Sequence, residues 1–142
     1  MTNSDPTIIE RSVEKTHLWL NEVAEELGSE DRQYAYRALH AVLHTLRDRL
    51  PITPAAQLAA QLPTLVRGMY YEDWKPARTP LSIHDIGAFL EHVAVEGRFA
   101  GETEASLAVE AVSRVLRRHV SAGEIDDVLA VLPEKLKPLI AA

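Results

Sequence analysis

Two arginines at corresponding places in two similar stretches of the chain are the first residues whose type and spacing could do chemistry. Arg47 lies in the segment LRDRL, and Arg117 lies in the segment LRRHV seventy positions later. A guanidinium group binds phosphate or carboxylate through two parallel hydrogen bonds. An anion site would therefore use Arg47 and Arg117, with Arg49 as a third candidate. The alternative is structural, because bases favour the last turn of a helix and pair with acids on neighbouring helices.

Two histidines, His40 and His44, have the four-residue spacing that places metal ligands on one face of a helix. No glutamate follows His40 as in the HExxH motif, and the sequence does not identify a third ligand. The neighbouring bases Arg37 and Arg47 disfavour a bound cation. We therefore expect both histidines to be solvated residues at the flank of a helix, and we predict no metal ion, no haem and no other cofactor.

Three aromatic residues, Tyr70, Tyr71 and Trp74, lie within five positions of one another. Tyr71 and Trp74 would offer a stacking surface to a ligand or to a partner protein. Large amphipathic rings are equally suited to half-buried seams between packed segments. We favour the second interpretation, in which Tyr71 and Trp74 hold a linker against the groove between two halves of the molecule. Partner binding by these rings is the alternative.

The sequence contains no motif that indicates catalysis. It has no cysteine, which excludes disulfides, thiolate metal sites and cysteine nucleophiles. The GxSxG nucleophile motif, the glycine-rich phosphate loop and the HExxH zinc motif are all absent. We therefore expect a protein that is not an enzyme.

Composition and charge narrow the classes of partner. The chain has 142 residues, 25% of them charged, and a formal net charge of −6. This balance argues against a nucleic-acid binder, since neutralising phosphates takes an excess of lysine and arginine. Residues 35–80 carry six bases and three acids, which keeps a local anion site open. No apolar run is long enough to cross a bilayer and no signal peptide is visible, so we predict a cytoplasmic protein without a membrane partner.

The elements that must position these residues are helices. Apolar residues recur at spacings of three and four in every long segment, a period typical of amphipathic helices rather than of strands. Asp5 suits the N-cap of the first helix, and Pro51 suits the end of the second. The Thr53–Pro54 pair predicts the start of a short helix after that. The fold class is therefore all-α.

A repeat organises these helices. Residues 35–70 align without a gap on residues 105–140, and nine of the 36 positions are identical. The residues that recur seventy positions later are Ala35, Ala38, Ala41, Val42, Leu46, Arg47, Ala60, Leu62 and Pro63. Most of them lie on the apolar stripe of a helix, as two units with the same internal packing require. The register continues upstream, where Glu26 recurs as Glu96 among apolar residues.

We therefore predict a tandem duplication of a unit that contains two long and two short helices. The copies span about residues 8–70 and 82–140, and a linker of residues 71–81 joins them. Each copy of about 65 residues would be marginally stable alone. We expect one compact globular domain over residues 1–142, with roughly eight helices of which four are short.

Three ordered segments resemble a bacterial family known as domain of unknown function 2267. They are LRDRLP at 46–51, LAAQLP at 58–63 and LVRGMYYEDW at 65–74. The likeness extends from about Ile8 to Ile140, and it implies a small helical protein of bacterial origin. It carries over no activity, cofactor or site residue. The second copy departs from the motif, with HVSAGE where the first has RLPITP, so a site that uses Arg49 would not be symmetric.

Three functions remain open from the sequence. The leading expectation is a non-enzymatic interaction module that binds a protein partner or itself. The alternative is a regulatory protein that binds a small molecule or an anion through Arg47 and Arg117. A metal or haem protein that uses His40 and His44 ranks last.

Overall fold

The computed structural model describes residues 6–141, and over that range the protein consists of α-helices without a β-strand. The eight α-helices of these residues are α1 (Thr7–Glu26), α2 (Arg32–Arg49), α3 (Ile52–Ala59), α4 (Thr64–Tyr71), α5 (Ile86–Gly97), α6 (Glu102–His119), α7 (Ala122–Val131) and α8 (Lys137–Ala141). Short 3₁₀ helices lie between α4 and α5 (Pro76–Arg78) and before α8 (Glu134–Leu136). The all-α fold class is confirmed. The predicted N-cap residue, Asp5, lies outside the described residues.

Local sequence signals set the ends of α2 and the start of α3. The Asp31 carboxylate caps α2 by accepting a hydrogen bond from the Gln33 backbone N–H at 2.8 Å. α2 stops before Leu50, whose backbone is extended, because a residue that precedes proline avoids the helical conformation. Pro51 then serves as the N-cap of α3. α3 therefore begins at Ile52, one residue before the predicted start.

α1 and α5 end in the same kind of turn. Gly28 and Arg98 both adopt the left-handed conformation, with φ of 69° and 55°. The backbone N–H of the following residue, Ser29 or Phe99, bonds to a carbonyl five residues earlier at 2.9 Å, which closes the helix end. Glycine adopts this conformation without a penalty, whereas Arg98 pays a steric cost for it.

α2 and α6 form the centre of the molecule. They pack against each other, and each of them also contacts α1 and α5. α3 packs against α7, α4 packs on α2, and α8 packs on α6. One cluster of buried apolar side chains contains residues from all eight helices, among them Trp19, Leu46, Phe89 and Leu116. The two halves of the chain therefore share a hydrophobic core. Along the described part of the chain, each helix is too short or too polar to span a bilayer.

Several elements recur at a spacing of seventy residues. α2 and α6 are both 18 residues long, and their bounds differ by seventy at each end. α4 covers residues 64–71, and the second 3₁₀ helix together with α8 covers residues 134–141. α1 has 20 residues against 12 in α5, so its first turns have no helical counterpart. Tyr71, the first residue of the predicted linker, is the last residue of α4.

Candidate functional site

A cavity of about 270 Å³ lies where α2, the end of α5 and the connection between α4 and α5 meet. We call this cavity the histidine pocket. Its lining residues are His40, His44, Arg47, Asp48, Asp73, Lys75, Arg78, Thr79, Leu81 and Glu96. The first four belong to α2, Glu96 belongs to α5, and the others belong to the connection. The pocket thus collects side chains from both halves of the chain.

His44 is buried, with only 3% of its surface exposed, so the prediction that it is a solvated flank residue is wrong. α4 packs on α2, and this places the backbone oxygen of Met69 2.7 Å from His44 Nε2. Burial lowers the pKa of the His44 imidazole, which favours its neutral form. A carbonyl only accepts hydrogen bonds, so Nε2–H donates to Met69 and Nδ1 keeps its lone pair.

His40 and Glu96 complete a group of three potential metal ligands. The ring centroids of His40 and His44 are 4.0 Å apart, as their four-residue spacing on a helix allows. One ligand atom from each of the three side chains lies within 4.8 Å of the other two. Two imidazole nitrogens and a carboxylate oxygen suit Zn²⁺. The hydrogen bond from His44 to a carbonyl is the contact that commonly orients a ligating histidine.

The sequence analysis did not identify Glu96 as part of this group. A signal was present in the repeat, because Glu26 and Glu96 recur at the same position among apolar residues. That recurrence does not say which residues the carboxylate faces. Only the packing of α5 against α2 brings Glu96 to the two histidines.

Arg47 also lines the histidine pocket, and it is 2% exposed. Its Nη1 donates to the backbone oxygens of Tyr70 at 2.6 Å and Glu72 at 2.7 Å. Its Nε and Nη2 donate to the Asp48 carboxylate at 2.8 and 3.1 Å. These bonds fasten the end of α4 to α2 and neutralise the charge of Arg47. They use four of the five N–H groups of a guanidinium, which leaves Arg47 little capacity to bind an anion.

The other two arginines of the predicted anion site also donate to backbone carbonyls. Arg117 Nη1 donates to the Ile140 oxygen at 2.6 Å, and this bond corresponds to the one between Arg47 and Tyr70 seventy residues earlier. Arg49 Nε donates to the Ile83 oxygen at 2.6 Å, just before α5. The structure places Arg47 and Arg117 at two different cavities. The three arginines therefore have separate structural contacts.

The cavity that Arg117 lines shares three lining positions with the histidine pocket at the seventy-residue spacing. It measures about 210 Å³, and we call it the arginine pocket; its lining residues are Ser106, Val109, Glu110, Ser113, Arg114, Arg117, Pro138 and Leu139. Glu110 and Arg114 take the positions of His40 and His44 in the repeat. Arg114 pairs with Glu110 at 2.6 Å and with Glu26 at 3.2 Å. Here a guanidinium group lies between two carboxylates.

Tyr71 and Trp74 are partly buried against the hydrophobic core. Their ring centroids are 5.3 Å apart, and the Tyr71 ring meets the Tyr70 ring edge-on at 5.5 Å. Tyr70 is fully buried, and its hydroxyl donates to the Ala55 oxygen at 2.8 Å. Within residues 6–141, the buried Nε1 of Trp74 has no hydrogen-bond partner. This geometry agrees with the packing interpretation, and partner binding by Tyr71 and Trp74 stays a prediction.

The described residues thus form a small all-α protein with two charged cavities beside a shared hydrophobic core. The sequence matches the family model described as "Uncharacterized conserved protein (DUF2267)" over residues 16–139. This match covers nearly the whole chain, so the chain belongs to that family, as its three ordered segments predict. The chain has no significant match among curated proteins.

Proposed function

We propose that this protein binds a divalent transition-metal ion, with Zn²⁺ as the best fit, through His40, His44 and Glu96. The observation that supports the proposal is the approach of one ligand atom from each side chain to within 4.8 Å of the others. Zn²⁺ sites with two histidines and one glutamate keep a further position open. A metal ion there would link α2 of the first half to α5 of the second half.

His44 is the ligand of the proposed site whose orientation is already fixed. The Met69 carbonyl holds its ring in one orientation, and burial keeps the imidazole neutral, so a proton competes less with the metal ion. His40 is half-buried and Glu96 is exposed. Metal binding therefore has to order mainly these two side chains, which limits its entropic cost.

Arg47, one of the two bases near the histidines, is a weaker obstacle to a cation than the sequence suggests. The charge of Arg47 is matched by Asp48, whose Oδ1 lies 2.8 Å from Arg47 Nε. Glu96 forms no salt bridge with any residue in the described range 6–141. Its carboxylate charge is therefore available to a metal ion.

Calorimetric titration of Zn²⁺ into the full chain, freed of metal by a chelator, tests the proposal. We expect one Zn²⁺ per chain. The Glu96→Gln variant removes one ligand from an exposed position, and its Zn²⁺ affinity should fall roughly tenfold or more. The matched control is Glu26→Gln, the same substitution at the corresponding position of the arginine pocket, which should bind Zn²⁺ as the unmodified chain does.

A second control separates the proposed site from ordinary surface binding. His84 is an exposed histidine outside the pocket, and His84→Ala should leave the Zn²⁺ titration unchanged. Absence of binding by the unmodified chain would contradict the proposal. Equal affinities for the Glu96→Gln and Glu26→Gln variants would contradict it as well.

We also propose that the halves arose by tandem duplication of a unit of two long and two short helices. Support comes from the gapless alignment with nine identities, the equal lengths of α2 and α6, and the corresponding 2.6 Å bonds of Arg47 and Arg117. Superposition of α2–α4 on α6–α8 tests the idea. The best fit should occur at the seventy-residue register, and a better fit at another register would contradict the duplication.

A second candidate function is self-association through the first turns of α1, in line with the interaction module expected from the sequence. Ile8, Ile9 and Val13 are 69%, 48% and 40% exposed. The same stretch carries two acids and two bases between residues 10 and 15. Two antiparallel copies can therefore place opposite charges beside a shared apolar contact, which makes a second copy of the chain the partner.

Light scattering at several protein concentrations tests this self-association. We expect a dimeric mass that returns to the monomeric mass in the Ile9→Glu variant. Val95 is exposed at 75% on α5, so Val95→Glu is a control with the same change of charge and should remain dimeric. A monomeric mass for the unmodified chain at every concentration would contradict the candidate.

A further inference from the structure

The charges that line the histidine pocket balance before a metal ion enters. Three acids, Asp48, Asp73 and Glu96, face three bases, Arg47, Lys75 and Arg78. A divalent ion therefore adds two positive charges that the lining does not compensate. In a partly enclosed cavity such an imbalance attracts an anion more strongly than it would in open water.

Two of the three bases are available to such an anion. Arg47 is committed to Asp48 and to two backbone carbonyls. Lys75 and Arg78 are exposed, and neither forms a salt bridge within residues 6–141. Lys75 directly precedes the Pro76–Arg78 3₁₀ helix, and Arg78 is its last residue. The connection between α4 and α5 thus brings one ammonium group and one guanidinium group to the pocket.

The size of the cavity limits the anion. The cavity measures about 270 Å³, and a single water molecule needs roughly 10–15 Å³ by the same kind of measure, so it has room for a metal ion and a small oxyanion. It is smaller than the range of roughly 300–1,000 Å³ that is typical of pockets for larger organic ligands. A tetrahedral dianion carries two negative charges, which balance the two positive charges of the metal ion. Its several oxygens can bind the metal ion and the two bases at the same time.

We propose that the metal-loaded histidine pocket binds phosphate, with one phosphate oxygen on the open metal position and others receiving hydrogen bonds from Lys75 and Arg78. This inference rests on the proposed metal site and adds the class of its ligand. The sequence analysis assigned anion binding to Arg47 and Arg117. This inference assigns it to Lys75 and Arg78 instead.

Titration of inorganic phosphate into the chain loaded with one equivalent of Zn²⁺, with free metal removed, tests the inference. We expect saturable binding by the loaded chain and binding at least about tenfold weaker by the metal-free chain. Sulfate shares the tetrahedral geometry and the charge of phosphate, whereas acetate has one charge and two oxygens. We expect sulfate to compete with phosphate and acetate to compete more weakly.

A charge-matched pair of variants assigns the phosphate to this pocket. The double variant Lys75→Gln with Arg78→Gln should keep its Zn²⁺ affinity and lose phosphate affinity by roughly tenfold or more. The control Lys15→Gln with Lys135→Gln removes the same charge from exposed positions elsewhere and should keep both affinities. Equal phosphate affinities in the two double variants would overturn the assignment to Lys75 and Arg78.

The failure of this inference can be distinguished from the failure of the metal site. Zn²⁺ binding is measured first, in a buffer free of phosphate. A chain that binds Zn²⁺ at Glu96 but not phosphate retains the proposed function and overturns the phosphate inference. A chain that binds no Zn²⁺ overturns both proposals, and phosphate binding that is independent of metal overturns the coordination of phosphate by the ion.

Discussion

The histidine pocket and the arginine pocket share three corresponding lining positions, His40/Glu110, His44/Arg114 and Arg47/Arg117, but their charges are arranged differently. In the arginine pocket the Arg114 guanidinium lies between two carboxylates, those of Glu110 and Glu26. In the histidine pocket the corresponding residues are two histidines and the Glu96 carboxylate, whose ligand atoms converge within 4.8 Å. Corresponding sequence positions thus hold a closed ion pair in one half and a group of potential metal ligands in the other.

This difference explains how the two pockets can share a scaffold and differ in chemistry. The arginine pocket carries its own cation, because the positive charge is part of the Arg114 side chain. The histidine pocket has two imidazoles and a carboxylate at these positions, and any cation it takes up would come from the solvent.

The largest expected effect compares Arg47 with its counterpart Arg117. Arg47→Met leaves Asp48 without its partner and the Tyr70 carbonyl without a donor, and we expect a loss of about 3 kcal/mol in the free energy of unfolding. Arg117→Met removes one bond, to Ile140, from a half-buried site and should cost about 1 kcal/mol. Urea denaturation followed by circular dichroism measures both values. Equal losses in the free energy of unfolding would show that the two arginines stabilise the fold equally.

The next effect is a conversion of the arginine pocket into a second metal site. The double variant Glu110→His with Arg114→His reproduces the two histidines, and Glu26 supplies the carboxylate. We expect calorimetry to show two Zn²⁺ per chain instead of one. At a Zn²⁺ concentration one hundred times the dissociation constant, the added ion should stabilise the variant by about 2.7 kcal/mol.

A second double variant sharpens that experiment. Glu110→Gln with Arg114→Gln removes the same ion pair without supplying ligands, and it should still bind one Zn²⁺. A single equivalent of Zn²⁺ in the histidine double variant would show that the two pockets do not share a metal-binding geometry.

A smaller effect compares the ends of α1 and α5. Gly28 and Arg98 share the left-handed conformation, and only Gly28 adopts it without steric cost. Gly28→Ala should lower the free energy of unfolding by about 1 kcal/mol, and Arg98→Gly should raise it by a similar amount. Thermal unfolding of the two variants checks the opposite signs. A loss of stability in Arg98→Gly would show that contacts of the arginine side chain outweigh its backbone strain.

The smallest expected effect concerns the acids that pair with α6. Hydrogen bonds from Arg118 and Arg114 lower the pKa of Glu26. For Glu22, burial raises the pKa. Hydrogen bonds from Arg118 and His119 together lower it by a larger amount, so the net shift of the Glu22 pKa is downward. A lowered pKa in the folded state means that both acids stabilise the protein above the unfolded pKa, near 4.5, and lose that contribution as the pH falls through the folded pKa.

Glu26→Gln tests this contribution. Its cost at neutral pH should be about 0.5 kcal/mol, because the ion pairs are near the surface and screened by solvent. The difference from the unmodified chain should disappear below the folded pKa and shrink in high salt. Glu96→Gln, the corresponding change in the other pocket, should not affect stability in the absence of metal. A cost for Glu26→Gln that is independent of pH would assign its role to packing instead of charge.

The helices follow from the sequence because the period of the apolar residues and the position of each proline act locally. The spacing of three and four predicts α2 and α6, and Pro51 predicts the end of α2 within two residues. The seventy-residue alignment pairs Tyr70 with Ile140, and both are buried. These predictions succeed because helix formation and apolar burial depend mainly on neighbours along the chain.

The pocket residues depend on contacts between distant segments. His44 lies at the flank of its apolar stripe, and the sequence predicts a solvated side chain for that position. Its burial results from the packing of α4, which brings the Met69 carbonyl to its ring. Glu96 joins the two histidines only because α5 packs against α2, and no local pattern encodes that distance.

The amino-acid sequence by itself therefore determined the helical class, the family, the seventy-residue spacing and the repeated arginines. The tertiary structure alone decided which of those residues share a pocket and which charges are already paired. The physical reason is the separation along the chain over which each kind of interaction acts. Helical periodicity and chain breaks act over a few residues, whereas the pairing of Arg47 and the convergence of His40, His44 and Glu96 depend on how whole helices cross.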